Sequence, residues 1–334
     1  MKNKILKSDR IFIAGSNGMV GNAVKKELIS SGYGKSEYGG SLLTPSRDQL
    51  DLTKNNDVSN WFAKNKPSIV ILAAAKVGGI FANSNKPADF ILENLKIQNN
   101  VIENSWKNGV KRLLFLGSSC IYPKFSKQPI TEEELLSGEL EETNEWYAIA
   151  KIAGLKLCQS LRIQYGFDAI ALMPTNLYGT GDNYHIEYSH VMPALIKKFS
   201  DAKKFKQKSV TCWGSGLPKR EFMHVNDLSR AAIFALKNFD PNLEVSPLDR
   251  KGQKLMYLNA GTGVDISIKE LAELIADIID YDGKILWDKS KPDGTPRKLL
   301  NTKRINQMGW KAEINLKEGI KQTIDEYRNL TDYY

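Results

Sequence analysis

The chain has 334 residues, of which 42% are hydrophobic and 25% charged, a composition typical of a globular enzyme with one or two domains. Its formal net charge of +9 permits nucleic-acid binding, but the Lys and Arg residues are scattered, so we expect no nucleic-acid partner. No apolar run reaches the ~20 residues that span a bilayer, the N-terminus lacks the apolar core of a signal peptide, and an odd number of cysteines argues against a disulfide framework, so we expect a cytoplasmic protein without membrane contact.

The first predicted strand, Arg10–Ala14, ends in a glycine turn and precedes a predicted helix, Asn22–Ser31. Such a turn lets the backbone approach a pyrophosphate, whose charge the helix N-terminus attracts. An ordinary βα turn is the alternative, since glycines are common there. We expect the dinucleotide site to include Gly15, Ser16, Asn17, Gly18, Met19, Val20 and Gly21.

The second predicted strand, Ser41–Thr44, is followed by Pro45-Ser46-Arg47. An NAD site usually has an acidic residue here for the ribose 2′-hydroxyl, whereas a guanidinium suits a 2′-phosphate. Arg47 therefore favours NADP as the cofactor, and Asp48 keeps NAD as the second choice.

The pattern then alternates between helices and strands up to residue 173. The predicted helices are Asn55–Asn65, Asp89–Asn108 and Glu145–Tyr165, and the predicted strands are Ser68–Ala74, Lys111–Leu116 and Asp168–Met173. This alternation predicts an α/β fold, a Rossmann-type doubly wound parallel sheet over residues 1–173, to which a segment at about 220–240 returns. Small residues at the carboxyl end of the third strand, Ala73 and Ala74, leave room for a cofactor.

After Pro174 the pattern is more irregular and predicts a smaller α/β substrate-binding lobe over residues 174–334. Its predicted helices are His190–Ser200, Asp227–Lys237, Ile268–Asp280 and Lys317–Asn329, with a strand at Val210–Trp213. Three histidines and unclustered cysteines do not match zinc spacing, so we expect no metal.

The chemistry is concentrated between Gly117 and Lys151. Tyr147 and Lys151 are four residues apart and so share one helix face, where an ammonium would lower the pKa of the phenol. Ser118 follows a buried strand, at the edge where open α/β sheets bind ligands. Such a set suits redox chemistry at a carbonyl, although an amphipathic pair with a snorkelling lysine is the plain alternative.

Together these motifs resemble the extended short-chain dehydrogenase/reductase superfamily. The resemblance rests on the glycine turn, Ser118, Tyr147 with Lys151, and the segments Pro174–Gly179 and Arg220–Asp227. Three further segments, Leu72–Ile80, Gly117–Lys124 and Ser290–Lys298, are similar to the GDP-L-fucose synthase family within it. This second resemblance covers nearly the whole chain.

The resemblance implies an NADPH-dependent conversion of GDP-4-keto-6-deoxy-D-mannose to GDP-L-fucose, by epimerisation at C3 and C5 and then reduction at C4. It assigns the base role to Cys120, the acid role to His190, proton donation to Tyr147, and ribose binding to Lys151. Ser118 and Tyr147 would hold the enolate oxygen. Cys120 should share a face with Ser118 if their segment is extended. A small buried hydrophobe is the alternative for Cys120.

The same resemblance extends the cofactor site to the ends of two later strands, to Lys151 and to His190. These residues are Leu116, Gly117, Ser118, Ser119, Pro174, Thr175, Asn176 and Leu177. Family members often carry a basic residue after the first glycine, whereas this chain has Ser16 and Asn17, so Arg47 carries the NADP expectation.

For the GDP-sugar, the family positions fall on Lys198, Trp213 and Arg220, and on Lys291 and Asp293 in a loop that would close on the ligand. The alternative substrate is another GDP-4-keto-6-deoxy sugar, such as a heptose or the colitose precursor, reduced with or without epimerisation. A non-catalytic dinucleotide- or RNA-binding module is a third possibility, which the intact Ser-Tyr-Lys set opposes. The resemblance also implies a homodimer through the helices Asp89–Asn108 and Glu145–Tyr165.

Overall fold

A computed structural model describes residues 4–185 and 188–330 of the chain. Along these residues, strands and helices follow in the order β1 (Arg10–Ala14), α1 (Met19–Ser30), β2 (Ser41–Leu43), α2 (Asn55–Asn65), β3 (Ile69–Leu72), α3 (Ile80–Asn85), α4 (Pro87–Lys107), β4 (Arg112–Leu116), α5 (Glu145–Tyr165), β5 (Ala169–Pro174), β6 (Asn176–Tyr178), α6 (Val191–Lys204), β7 (Ser209–Trp213), β8 (Lys219–His224), α7 (Val225–Asn238), β9 (Tyr257–Ala260), β10 (Asp265–Ser267), α8 (Ile268–Ile279), β11 (Lys284–Asp288), β12 (Arg297–Lys298), α9 (Lys303–Gln307) and α10 (Leu316–Leu330). No helix within the described ranges is long and apolar enough to cross a membrane.

The central sheet has six parallel strands in the order β2-β1-β3-β4-β5-β9. The chain adds β2 on one side of β1 and then β3 on the other, so the direction of winding reverses at β1. Open α/β sheets bind nucleotides at the carboxyl ends of the strands beside such a reversal. The turns that follow β1, β3, β4 and β5 meet at this edge and carry the predicted cofactor residues.

Both faces of the sheet are covered, which explains why its strands are apolar at almost every position. Phe12 of β1 faces a core formed with α2, α4 and α5, whereas its neighbours Ile11 and Ile13 face a second core formed with α1 and α7. The alternation of side chains along a strand produces this division. The predicted doubly wound sheet is therefore confirmed.

A smaller lobe covers the carboxyl edge of the sheet. In it β8 pairs with β6, β10 and β12, while β7 pairs with β11. A third apolar core, which includes Ile196, Phe199, Phe222, Ile275 and Ile324, joins α6, β8, α8 and α10. This lobe places β8 and β12 side by side above the ends of the central strands.

Most predicted elements lie within a few residues of the observed ones; α4, for example, begins at Pro87 rather than Asp89. The division at residue 173 is less simple than the sequence suggests. Besides α7, the strand β9 belongs to the central sheet, and Ile305 and Trp310 pack in the core beneath α1 and α7. Late parts of the chain thus complete the first domain.

Candidate active site

The glycine turn after β1 is shaped by contacts that only glycine permits. Gly15 has φ +88°, and a Cβ there would lie 2.7 Å from the Cα of Ala74. A Cβ on Gly21 would lie 2.1 Å from the carbonyl oxygen of Gly15, so α1 packs directly on the turn. A Cβ on Gly18 would have only ordinary contacts with the protein, which leaves open space at the start of α1.

The polar groups of this turn fit a phosphate. The hydroxyl of Ser16 is buried and has no hydrogen-bond partner among the described residues. Gly18 is the N-cap of α1 and no side chain caps that helix, so the first N–H groups of α1 remain available to an anion. The structure brings Asn17, Met19 and Val20 to the same turn. These residues therefore fit the pyrophosphate of a dinucleotide.

The remaining predicted cofactor residues lie at the ends of neighbouring strands. Ala73 donates its N–H to the carbonyl of Ala14 over 3.0 Å, which holds Ala73 and Ala74 beside the glycine turn. One further segment begins at the last residue of β4 and contains Leu116, Gly117, Ser118 and Ser119. A second runs from the last residue of β5 into β6 and contains Pro174, Thr175, Asn176 and Leu177. Arg47 is exposed in the turn after β2, the strand next to β1.

Lys151 is buried beneath this edge, with 4% of its surface exposed. Its Nζ donates to the carbonyl oxygen of Leu116 over 2.9 Å and lies 5.8 Å from the centre of the Tyr147 ring. Burial lowers the pKa of this ammonium to about 8. The ammonium of Lys151 thus lies where the sequence predicted it, but it loses its proton at a lower pH than an exposed lysine does.

The hydroxyl of Ser118 lies close enough to the phenol of Tyr147 to lower its pKa, so two of the predicted catalytic groups are brought together. The sequence analysis expected a lowered pKa for Tyr147, whereas the net shift in this structure is upward. Burial raises the pKa of the phenol, Cys120 raises it further, and the hydroxyl of Ser118 offsets only part of this shift. The physical reason is that loss of water around the phenolate outweighs a cation whose Nζ is bonded to a backbone carbonyl.

The sequence analysis assumed that the segment from Ser118 to Cys120 is extended, but in the structure it is not. Ser119–Ile121 forms a single turn of 3₁₀ helix, which Ser118 caps by accepting the N–H of Cys120 over 3.2 Å. A serine side chain satisfies a free N–H at a helix start, and this favours the turn. Cys120 is partly exposed, and two side chains donate to its Sγ: Asn144 over 3.8 Å and Lys298 over 3.6 Å.

His190 is the N-cap of α6, at an open rim of the cleft. Reduced access of water to its cleft side and the positive charge of Lys298 both lower the pKa of its imidazole. Because Lys298 also contacts Cys120, one cation interacts with both the predicted base and the predicted acid.

The predicted substrate residues form a basic surface around one indole. Trp213 is 46% exposed, and the Nζ atoms of Lys198 and Lys291 each lie 5.5 Å from its ring centre. These distances are typical of cation–π contacts. A diphosphate and an aromatic base could both be bound here.

Arg220 joins this surface to the catalytic groups. Its Nη2 donates to the carbonyl oxygen of Asp293 over 3.3 Å, and its charge interacts with Cys120. The carboxylate of Asp293 in turn accepts the N–H of Ser215 over 2.7 Å and its hydroxyl over 2.8 Å. The loop that carries Lys291 and Asp293 is therefore fastened beside the cleft.

The sequence analysis missed Asn144 and Lys298 as neighbours of the reactive sulfur. Asn144 is three residues before Tyr147, and its buried Oδ1 has no hydrogen-bond partner among the described residues. Lys298 ends a segment that carried the family resemblance, but nothing local indicates that it meets Cys120. The other two cysteines, Cys158 and Cys212, are buried and free. His224 caps α7 by accepting the N–H of Asn226, a structural role.

The described ranges hold no group of three or more His, Cys, Asp or Glu side chains that could bind a metal ion. A parallel sheet with a glycine turn at its winding reversal, and a Ser-Tyr-Lys set beside it, are typical of a dinucleotide-dependent enzyme that acts at a carbonyl. The sequence profile of the NAD dependent epimerase/dehydratase family matches residues 11–245, and the chain belongs to this family.

Within that family the chain groups with the GDP-L-fucose synthases. It is 51% identical over 322 residues to a probable GDP-L-fucose synthase 1 of Oryza sativa subsp. japonica, covering 96% of this chain and 92% of the relative. It is 49% identical to the GDP-L-fucose synthase of Escherichia coli (strain K12), covering 95% and 96%. A solved GDP-mannoheptose C4 reductase from Campylobacter jejuni with NADP bound superposes with a TM-score of 0.84 at 38% identity, covering 97% and 99%.

Proposed function

We propose that this chain converts GDP-4-keto-6-deoxy-D-mannose to GDP-L-fucose, by C3 and C5 epimerisation followed by reduction of the C4 ketone. The observation that carries the proposal is the convergence of two chemistries at the end of β4. The Ser118–Tyr147 pair suits a carbonyl oxygen, and the thiol of Cys120 lies two residues from Ser118. Relatives with the same printed activity, about half identical over nearly their whole length, support it.

NADPH is the proposed cofactor, and it would supply the hydride that reduces the C4 carbon. The turn from Gly15 to Gly21 would hold its pyrophosphate against the start of α1. Arg47 would meet the 2′-phosphate, because a guanidinium matches the geometry of a phosphate. Lys151 would bind the nicotinamide ribose from below, next to its bond with Leu116. The NADP bound to the heptose reductase supports this choice over NAD.

Epimerisation requires removal of a proton from a carbon next to the C4 ketone. The sulfur of Cys120 would take that proton while the electron pair of the C–H bond moves onto the ketone oxygen. Donation from Ser118 and Tyr147 would stabilise the enolate oxygen that forms. His190 would then return a proton to the opposite face of the carbon.

Reduction needs a proton for the C4 oxygen as the hydride arrives. Tyr147 would supply it, since its raised pKa keeps the phenol protonated at neutral pH. The phenolate left behind would be stabilised by the ammonium of Lys151, 5.8 Å from the ring centre. The shift that contradicts the sequence expectation therefore still suits an acid role.

Recognition of the GDP moiety would fall on the basic surface around Trp213. Lys198, Arg220 and Lys291 would meet the charge of the pyrophosphate, and the indole would pack against the base or the sugar. Asp293 would hold the loop in place through Ser215.

A C4 reductase acting on another GDP-keto-deoxy sugar is the second candidate. The similarity to a GDP-mannoheptose C4 reductase favours it. In that reaction Ser118, Tyr147 and Lys151 would act as above, while Cys120 and His190 would only contact the sugar. The two candidates differ in whether protons at C3 and C5 exchange with solvent.

We also propose a homodimer through α4 and α5 and a location in the cytoplasm. The two helices pack side by side, and their outward residues Leu92 and Ile163 are 53% and 75% exposed, a pattern suited to contact with a second copy. The free thiols of all three cysteines suit a reducing compartment.

The experiment combines NADPH oxidation with NMR of the product. The wild-type protein is incubated with GDP-4-keto-6-deoxy-D-mannose and NADPH in deuterated water. An L-galacto product that carries deuterium at C3 and C5 supports the proposal. In Cys120→Ser, deuterium incorporation should fall by about 100-fold or more, because a hydroxyl is a far weaker base than a thiolate. An unepimerised product from the wild type supports the second candidate, and exchange that survives Cys120→Ser refutes the assignment of the base.

A further inference from the structure

Lys298 lies beside the sulfur of Cys120, and nothing in the proposed chemistry has yet used it. Its Nζ donates to Sγ over 3.6 Å. Both residues line a small cavity whose other walls include Ser119, Glu141, Asn144 and Thr295. Lys298 is the last residue of β12 and pairs in register with Arg220 of β8.

The backbone on both sides of Lys298 is held firmly. The carbonyl of Arg297 accepts from the side chain of Gln128 over 3.0 Å, and the N–H of Leu299 donates back to that side chain over 2.9 Å. The N–H of Leu300 donates to the buried carboxylate of Glu221 over 2.9 Å. The backbone of Lys298 is therefore already ordered, so the contact between its side chain and the sulfur costs less conformational entropy.

The other charged groups around the sulfur do not replace this cation. Arg220 interacts with Cys120, but its guanidinium also faces the carbonyl of Asp293 and the charge of Glu141. Glu141 is buried and carries the opposite charge, while Tyr147 is neutral. Among the described side chains, Lys298 is the cationic group whose hydrogen bond to Sγ is seen directly.

We propose that Lys298 is a positioning residue whose ammonium holds the sulfur of Cys120 in place and stabilises negative charge on it, so that the sulfur can accept the protons from C3 and C5. An ammonium next to a thiol favours the thiolate, which is the basic and nucleophilic form. In the step itself, the thiolate takes the proton, an S–H bond forms, and the electrons of the C–H bond pass to the ketone oxygen. The positive charge of Lys298 is then free to face the enolate. The inference rests on the proposed epimerisation, but its first test does not need the substrate.

The first test measures alkylation of Cys120 by iodoacetamide in the ligand-free protein at pH 7, with mass spectrometry to assign the site. Iodoacetamide is neutral, so the charge of Lys298 neither attracts nor repels it, and loss of that charge does not change its local concentration. The buried Cys158 and Cys212 should not compete. In Lys298→Met the rate should fall about tenfold, because the thiolate loses its cation. Lys298→Arg should keep most of the rate, and the exposed Lys303→Met serves as the matched control.

An unchanged alkylation rate in Lys298→Met, with wild-type circular dichroism, overturns the inference even if turnover is normal. If that variant does not fold, Lys298→Gln provides the same comparison, and Lys298→Arg must still restore the rate.

The second test is deuterium incorporation at C3 and C5, which should fall about as much as the alkylation rate. Two results can occur together: alkylation is slower in Lys298→Met, and the wild-type protein exchanges no deuterium. That combination supports the role of Lys298 and rejects the proposed epimerisation. The two failures are therefore distinguishable.

Discussion

Replacing Lys151 by Met should remove most of the reductase activity without destabilising the protein. The Nζ of Lys151 lies 5.8 Å from the centre of the Tyr147 ring. With an effective dielectric constant of about 20, a unit charge at about 6 Å stabilises the emerging phenolate by about 3 kcal/mol. That energy corresponds to about 100-fold in kcat, measured as NADPH oxidation at saturating NADPH and GDP-sugar.

Stability separates this electrostatic effect from unfolding. Burial lowers the pKa of Lys151 to about 8, which means that the fold bears a cost in keeping the ammonium charged. The melting temperature of Lys151→Met should therefore equal or exceed that of the wild type. Lys321→Met, at an exposed position of α10, is the control and should leave both quantities unchanged. A kcat within about threefold of the wild type would refute the electrostatic reasoning.

Three further predictions concern pH and the cofactor. Because the pKa of Lys151 is about 8 rather than its usual value near 10.5, the free enzyme loses this charge as the pH rises above 8. The pH profile of kcat/KM should then fall about tenfold per pH unit, and Lys151→Arg should move this limb to higher pH. Arg47→Leu should weaken NADPH binding about tenfold or more and leave NADH binding unchanged; equal losses for both would exclude a 2′-phosphate contact. Gly18→Ala should fold normally but bind NADPH weakly, whereas Gly21→Ala should lower the melting temperature, since its Cβ would lie 2.1 Å from the oxygen of Gly15.

The parts of the fold that follow local rules were predictable. Apolar runs such as Ile69–Leu72 predicted buried parallel strands, and glycines after Ala14 predicted a turn at the start of a helix. The resemblance to the GDP-L-fucose synthase family is likewise confirmed by the relatives. Strands and turns of this kind depend on residues that are close together in the sequence, so their local pattern is enough to predict them.

The sixth strand of the sheet was not predicted to be part of it. Tyr257–Ala260 is short, and its hydrogen-bond partner Ala171–Pro174 lies more than eighty residues earlier. Periodicity can indicate that a segment is extended, but not which strand edge it will join. The domain boundary expected near residue 173 is less simple for the same reason.

By itself, the sequence determined the class of fold, the family, and the positions of Ser118, Cys120, Tyr147 and Lys151 near one strand end. Only the tertiary structure decided the electrostatic surroundings of these groups. It buries Tyr147 so that its pKa rises, and it brings Lys298 to Cys120 across 178 residues of chain. Desolvation and charge interactions depend on distance and burial in space, so the same residue letters can give either sign of pKa shift until the chain is folded.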